Sequence, residues 1–190
     1  MTSWYRGIIT ALVALGLMGT GTGSVVGHAA STTPFGPERF TSNHATYVIT
    51  TKSTYYRRIW ESAISAWNKT GAFHFRAGSK NRAQIVLSTA SGNDAAVMGE
   101  DVGLTDFRAV GDYFVKVDAM LNPSLFREYD YSRSDDLHVA EHELGHTMGL
   151  AHNPSKASVM YYRNRSVGIQ KVDIKGVVLR YKTPAGQSLS

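Results

Sequence analysis

Three histidines, a glutamate and a glycine fall in one run, His142-Glu143-Leu144-Gly145-His146-Thr147-Met148-Gly149-Leu150-Ala151-His152. On a helix, residues four apart lie one turn apart on the same face, so His142 and His146 aim two imidazoles at one point. Glu143 follows the first of them, where its carboxylate can reach a water held at that point without displacing a ligand. Gly149 can take the left-handed conformation that ends a helix. The resulting turn lets His152 come back as a third nitrogen donor, which a straight helix could not arrange. Three such ligands suit zinc and leave its fourth position to water, the pattern of a catalytic rather than a structural site. Zinc lowers the pKa of that water towards roughly 7, and a nearby carboxylate takes its proton as it attacks a polarised carbonyl. The alternative is a set of surface histidines on an ordinary helix. Chance recurrence of these five positions, on the order of 10⁻⁵ for such a composition, sets it aside.

Met160 follows soon after, in Ser158-Val159-Met160-Tyr161-Tyr162. A buried methionine is commonly core filler, but at this distance from the triad it reads as a turn running beneath the ligands. His138 lies one turn before His142 and could orient a ligand from behind; a solvent-facing or hydrogen-bonded histidine is the simpler role. His74, between Phe73 and Phe75, is expected on the opposite side of its strand from those aromatics.

The chain of 190 residues has room for one domain. It opens with Arg6, an apolar run from Ile8 to Met18, and a Gly/Ser/Thr-rich stretch ending at Ala29-Ala30. That order reads as a secretory signal. Roughly eleven apolar residues are too few to span a bilayer comfortably; an uncleaved amino-terminal anchor is the alternative to cleavage after Ala29 or Ala30. The expected organisation is a signal peptide at 1–30, an arm at 31–45 containing Pro34 and Pro37, and a catalytic domain at 46–190. A secreted, monomeric protein without stable membrane insertion follows. The formal net charge is +5, and Arg6 is the only Lys, Arg, Asp or Glu of the leader, so the exported chain stays basic. This favours anionic surfaces such as cell-wall polymers, whereas the scatter of Lys and Arg argues against nucleic-acid binding. No cysteine occurs, so the fold must stand without disulfides.

The elements that must position the triad are readable in outline. Tyr47 to Thr51 is β-branched and aromatic, a predicted strand. A helix is expected from Ser53 to Lys69, with Tyr56, Ile59, Trp60, Ala63, Ile64 and Trp67 at helical spacing and Gly71 as its stop. Short strands follow at 73–75 and 83–89, a loop at 91–94, and two strands at 102–107 and 113–121 around a turn at 110–112. Asn122-Pro123 begins a long connection through Tyr129 and Tyr131. Ser132 or Ser134 caps the site helix, where Asp135 and Asp136 suit its positive end, and a last helix runs from Val172 to Tyr181.

With these residues the chain resembles the metzincin zinc metalloproteases, and within them the matrixins, most closely the small secreted bacterial members. The likeness covers 46–182 and includes Ala63-Ile64-Ser65-Ala66-Trp67, Gly103-Leu104-Thr105 and Asp173-Ile174-Lys175-Gly176-Val177. It implies a single α+β domain: a twisted, mostly parallel sheet with an antiparallel edge strand, an active-site helix and a carboxy-terminal helix. It also implies a polypeptide substrate stretched along the edge strand at Gly103, Leu104 and Thr105, beside a pocket walled by residues 161–168. One catalytic zinc is expected. Asp94, Glu100, Asp101, Asp106 and Asp112 leave calcium open, without a readable ligand pattern.

Several positions depart from the family pattern. Without cysteine there is no cysteine-switch latency. Asn153 stands where matrixins usually carry serine. Ser158-x-Met160-x-Tyr162 is similar to the turn of astacins and serralysins, whose tyrosine ligates zinc reversibly, so Tyr162 stands open between an auxiliary role and packing. Val172 replaces the first of two paired acids, so the amino-terminal salt bridge of matrixins is not expected.

The expected activity is that of a secreted zinc-dependent endopeptidase with Glu143 as the catalytic carboxylate. The alternative is a zinc-containing cell-surface binding or toxin-like module with weak or lost peptidase activity. Every ligand, Glu143, Gly149 and Met160 are in place, which favours the enzyme.

Overall fold

The computed structural model describes residues 4–12 and 32–190. The remainder of the expected leader, with the cleavage site after Ala29 or Ala30, lies outside the described residues. In chain order the elements are Trp4–Leu12 (β1), His44–Ile49 (β2), Thr54–Lys69 (α1), His74–Ala77 (β3), Ile85–Thr89 (β4) and Asn93–Met98 (α2). Asp101–Val110 (β5), Tyr113–Leu121 (β6), Pro123–Glu128 (α3), Arg133–Thr147 (α4) and Lys171–Lys182 (α5) complete the fold.

The strands form one sheet in the order β1-β5-β6-β4-β2-β3. β3, β2, β4 and β6 run parallel, and β5 returns antiparallel to β6. Strands β2 to β6 therefore make the mostly parallel sheet with an antiparallel outer strand that the sequence predicts. β1 adds antiparallel along the outer side of β5, with Ala11 opposite Gly103 and Thr10 opposite Leu104.

α1 forms where its periodicity places it. Ser53 caps it by accepting from Tyr56 N at 3.3 Å, and Ile59, Trp60, Ala63, Ile64 and Trp67 make its buried face. Each indole finds a carbonyl: Trp60 Nε1 donates to Ser88 O at 3.0 Å and Trp67 Nε1 to Glu141 O at 2.8 Å. One bond ties α1 to the sheet and the other ties it to α4. Truncating either tryptophan to alanine would cost about 3–5 kcal/mol by the usual core scale.

Several segments differ from the sequence expectation; β3 runs on to Ala77 and β5 to Val110. Asn93–Met98, whose start was expected as a loop, is a short helix between Gly92 and Gly99, both at positive φ. The connection after Asn122 holds α3, with Asn122 Oδ1 accepting from Ser124 N and Leu125 N at 3.2 and 3.4 Å and Pro123 in the first turn. Six residues are too few for a helical period to declare itself. β2 starts at His44 rather than Tyr47, because the end of the amino-terminal arm pairs with β3. Further back, Phe35 is buried and bridges both Leu150 and Leu189.

Candidate metal centre

Local signals set α4. Ser132 Oγ accepts from Asp135 N at 3.2 Å while Asp135 Oδ2 accepts from Ser132 N at 2.9 Å, a reciprocal cap that selects Ser132 over Ser134. At the other end, Leu150 N donates to Gly145 O at 3.1 Å and Gly149 N to His146 O at 2.9 Å, closing a Schellman turn. Gly149 has φ +96°, and a β-carbon there would stand 2.7 Å from Glu38 O. Only glycine makes this turn. It reverses the chain and returns His152 to the two histidines of α4.

The three imidazoles converge. One ligand atom from each of His142, His146 and His152 lies within 4.8 Å of the others, a group able to hold a metal ion. His142 Nδ1 donates to Val159 O at 2.7 Å and His146 Nδ1 to Leu150 O at 2.8 Å. A carbonyl only accepts, so those protons sit on Nδ1 and both Nε2 lone pairs point inward. The two Nε2 atoms are 3.0 Å apart, and His152 Nε2 is buried without a hydrogen-bond partner. Three converging lone pairs fit a tetrahedral zinc with one position left over. Burial also keeps the rings neutral, as ligation requires: it pushes His142 down to about 3, His146 well below its ordinary value, and His152 down as well.

Glu143 is fully buried on the same turn. Burial raises its carboxyl to about 8; the Thr105 hydrogen bond opposes that rise and nearby Asp101 adds to it. A dication held by the neighbouring imidazoles would draw it down again. Thr105 Oγ1 donates to Glu143 Oε2 at 2.6 Å, and Oε1 is buried without a hydrogen-bond partner.

A single α+β domain with this triad points to one group of peptidases, and the family model for matrixins matches residues 39–182. The chain belongs to the matrixin family. Matrixins are metallopeptidases, so this one is a metalloprotease with a polypeptide substrate, and its three histidines are placed to hold a metal ion. No curated protein matches the chain.

Behind the triad of this matrixin, Met160 is fully buried and carried by a polar network. Asp173 Oδ1 accepts from Ser158 Oγ and from Thr33 Oγ1, both at 2.5 Å, and Oδ2 accepts from Val159 N and Gln170 N at 3.0 Å. Asn153 Nδ2 donates to Thr33 Oγ1 at 2.9 Å, and Asn153 N donates to Met160 O at 2.8 Å. Asn153 is thus a buried strut of the turn. Neither Thr33 nor Asp173 carries a local sequence signal for this role beyond the Asp-Ile-x-Gly-Val run at 173–177. Thr33 also donates its backbone N–H to Val172 O at 3.0 Å, tying the amino-terminal arm to the start of α5.

Tyr162 lies beside His152, with ring centroids 6.5 Å apart. Residues 161–168, unreadable in the sequence, are held from two directions. Asn164 Oδ1 accepts from Val167 N at 2.9 Å. Arg165 reaches Asp135 at 3.2 Å and lies 4.1 Å over the Tyr131 ring. His138 Nδ1 donates to Arg165 O at 3.1 Å, so His138 holds this loop, and His74 faces outward and exposed. A groove of about 720 Å³ lined by Arg58, Glu61, Arg133 and Glu141 contains none of the three histidines. Side-chain chemistry, not concavity, locates the site.

Proposed function

We propose that this matrixin is a secreted zinc-dependent endopeptidase in which Glu143 is the catalytic carboxylate. The observation that carries the reading is the buried Glu143 carboxylate, one oxygen held and one unpartnered, on the helical turn of two converging histidines. His142, His146 and His152 would hold the ion through Nε2. Zinc bound there supplies Lewis acidity and an acidified water. Glu143 accepts a proton from the attacking water at Oε1 and delivers it to the leaving amine nitrogen as the C–N bond breaks.

The substrate lies extended along the outer side of β5, at Gly103, Leu104 and Thr105, pairing main chain to main chain. β1 of the expected leader pairs antiparallel with these same residues, so the edge takes an extended segment, and the substrate takes that place once the leader carrying β1 is removed. Residues 161–168 form the wall of the pocket for the side chain after the scissile bond. Tyr162 is exposed, with its ring 4.8 Å from that of Tyr161 and 6.5 Å from that of His152, and we assign it an auxiliary role on the substrate side of the triad. Export rests on Arg6 and the run Ile8 to Met18; no helix among the described residues is long and apolar enough to cross a membrane. The basic charge favours association with an anionic cell wall.

The test is cleavage of a mixed peptide library by the purified protein, with and without a chelator, beside Glu143→Ala. Cleavage abolished by both treatments is the expected result. One equivalent of zinc bound with no peptide or protein cleaved would favour the binding module instead.

A further inference from the structure

We propose that Thr105 is a positioning residue for Glu143, and that Gly103 is the notch that lets it act. The proposal rests on the reading of Glu143 as the catalytic carboxylate and adds what fixes its orientation. Gly103 and Thr105 are two apart on β5 and so share a face of the strand. Both meet Glu143 across the gap between β5 and α4. Thr105 is fully buried, and its hydroxyl donates to Glu143 Oε2 at 2.6 Å while lying 3.4 Å from Glu143 O. At Gly103 a β-carbon would overlap Glu143 Oε1 and stand 2.7 Å from Cδ and 2.9 Å from Cγ. The carboxylate therefore occupies the space that any other residue at 103 would fill.

The consequence concerns rotamer and direction. A glutamate has three side-chain torsions, and a base acts only when the correct oxygen faces the reacting proton. The notch sets where the carboxylate lies, and the hydroxyl selects which oxygen is engaged. Oε2 is occupied by Thr105, leaving Oε1 for the proton transfer. Threonine at 105 serves because its hydroxyl is short, donates one proton and is itself held by β-branching in a narrow set of rotamers. Thus one strand carries two tasks, the substrate main chain on its outer edge and the alignment of the base on one face.

Thr105→Val keeps the shape and removes the donor; Thr105→Ser keeps the donor. Each is compared with the unaltered protein by kcat and KM on one cleaved peptide, by zinc per chain, and by the crystal structure of the zinc-free form. We expect Thr105→Val to bind one zinc, to keep KM within about twofold, and to lose about 10- to 100-fold in kcat, the scale of one charge-assisted hydrogen bond. Its crystal structure should show Glu143 displaced from the Gly103 notch or split between rotamers. Thr105→Ser should recover most of the kcat and the single rotamer. If burying a methyl against the carboxylate prevents folding, Thr105→Ala is read in the same way. An unchanged kcat with an unchanged Glu143 rotamer overturns the proposal, as does a Ser variant no better than Val. Should the unaltered protein bind zinc yet cleave nothing, the peptidase reading fails on its own, and the Glu143 rotamer alone decides the role of Thr105.

Discussion

Gly145 and Met160 are in contact without room for a methyl group. A β-carbon at Gly145 would overlap the Met160 sulfur and stand 3.1 Å from its terminal carbon, and Met160 is fully buried. The unspecified position before the second histidine of the motif is thus dictated by the turn beneath it.

Gly145→Ala sets two effects against each other. Alanine is favoured over glycine inside a helix by about 1 kcal/mol, while overpacking a full core costs about 1–3 kcal/mol. Overpacking wins because Met160 has no solvent to retreat into. Calorimetry should show a lower Tm, and zinc titration a weaker site, since Val159 O, next to the displaced methionine, orients His142. A higher Tm would mean that Met160 yields freely.

The zinc-free protein should lose stability as the medium is acidified. The three histidines have folded pKa values depressed from 6.5 by burial, His142 to about 3. The unfolded chain therefore takes up protons that the folded chain refuses. Their contribution is present above pH 6.5 and is lost as pH falls towards about 3. Thermal melts at stepped pH with chelator check this, and zinc should add a stabilisation that shrinks with acid as protons compete for the same nitrogens.

Asp136 predicts the opposite slope. Burial raises its carboxyl to about 6; the Tyr55 hydroxyl, which donates to Oδ2 at 2.9 Å, opposes the rise, and Asp135 adds to it. A raised folded pKa gives stability that is present below the unfolded value of 3.8 and lost as pH rises through about 6. Asp136→Asn keeps an acceptor for Tyr55 and removes the charge. It should melt higher than the unaltered protein at pH 8, with the gap closing towards pH 4. Equal melts at both pH values would contradict this.

Asp173→Ala leaves four donors facing an apolar gap: Ser158, Thr33, Val159 and Gln170. A loss of about 3–5 kcal/mol is expected from the unsatisfied groups. Thr33→Val should cost less, about 1–2 kcal/mol, and the double variant should cost less than the sum because the two share a bond. Urea denaturation of the four proteins measures the coupling; strict additivity would show that the amino-terminal arm does not support the turn.

Arg165→Ala separates stability from selectivity. Its ion pair with Asp135 is partly exposed, so the stability loss should stay within about 1 kcal/mol. The loop at 161–168 would nonetheless lose its tie to Asp135 and Tyr131. Peptides differing only after the scissile bond should be discriminated less sharply, with effects mainly on KM. Unaltered discrimination would place the wall elsewhere.

What the sequence determined by itself is local. His142 and His146 share a helical face because of the helical period, and Gly149 turns the chain because it alone lacks a β-carbon; both follow from near neighbours. Ser132 and Asp135, three apart, cap the helix by the same local logic. The tertiary structure decided whatever depends on residues distant in the chain. Thr105 reaches Glu143 across 38 positions and Thr33 reaches Asp173 across 140, and neither pairing leaves a periodic trace. Arg180 makes the point most plainly. By spacing it is one more basic residue near a helix end, yet it is fully buried beneath Phe35 and donates to Gly36 O, Gln187 O, Thr183 O and Pro184 O. A charge is tolerated in a core only where carbonyls from separate segments surround it. That requirement is met only once the amino-terminal arm and the carboxy-terminal tail are folded against α5.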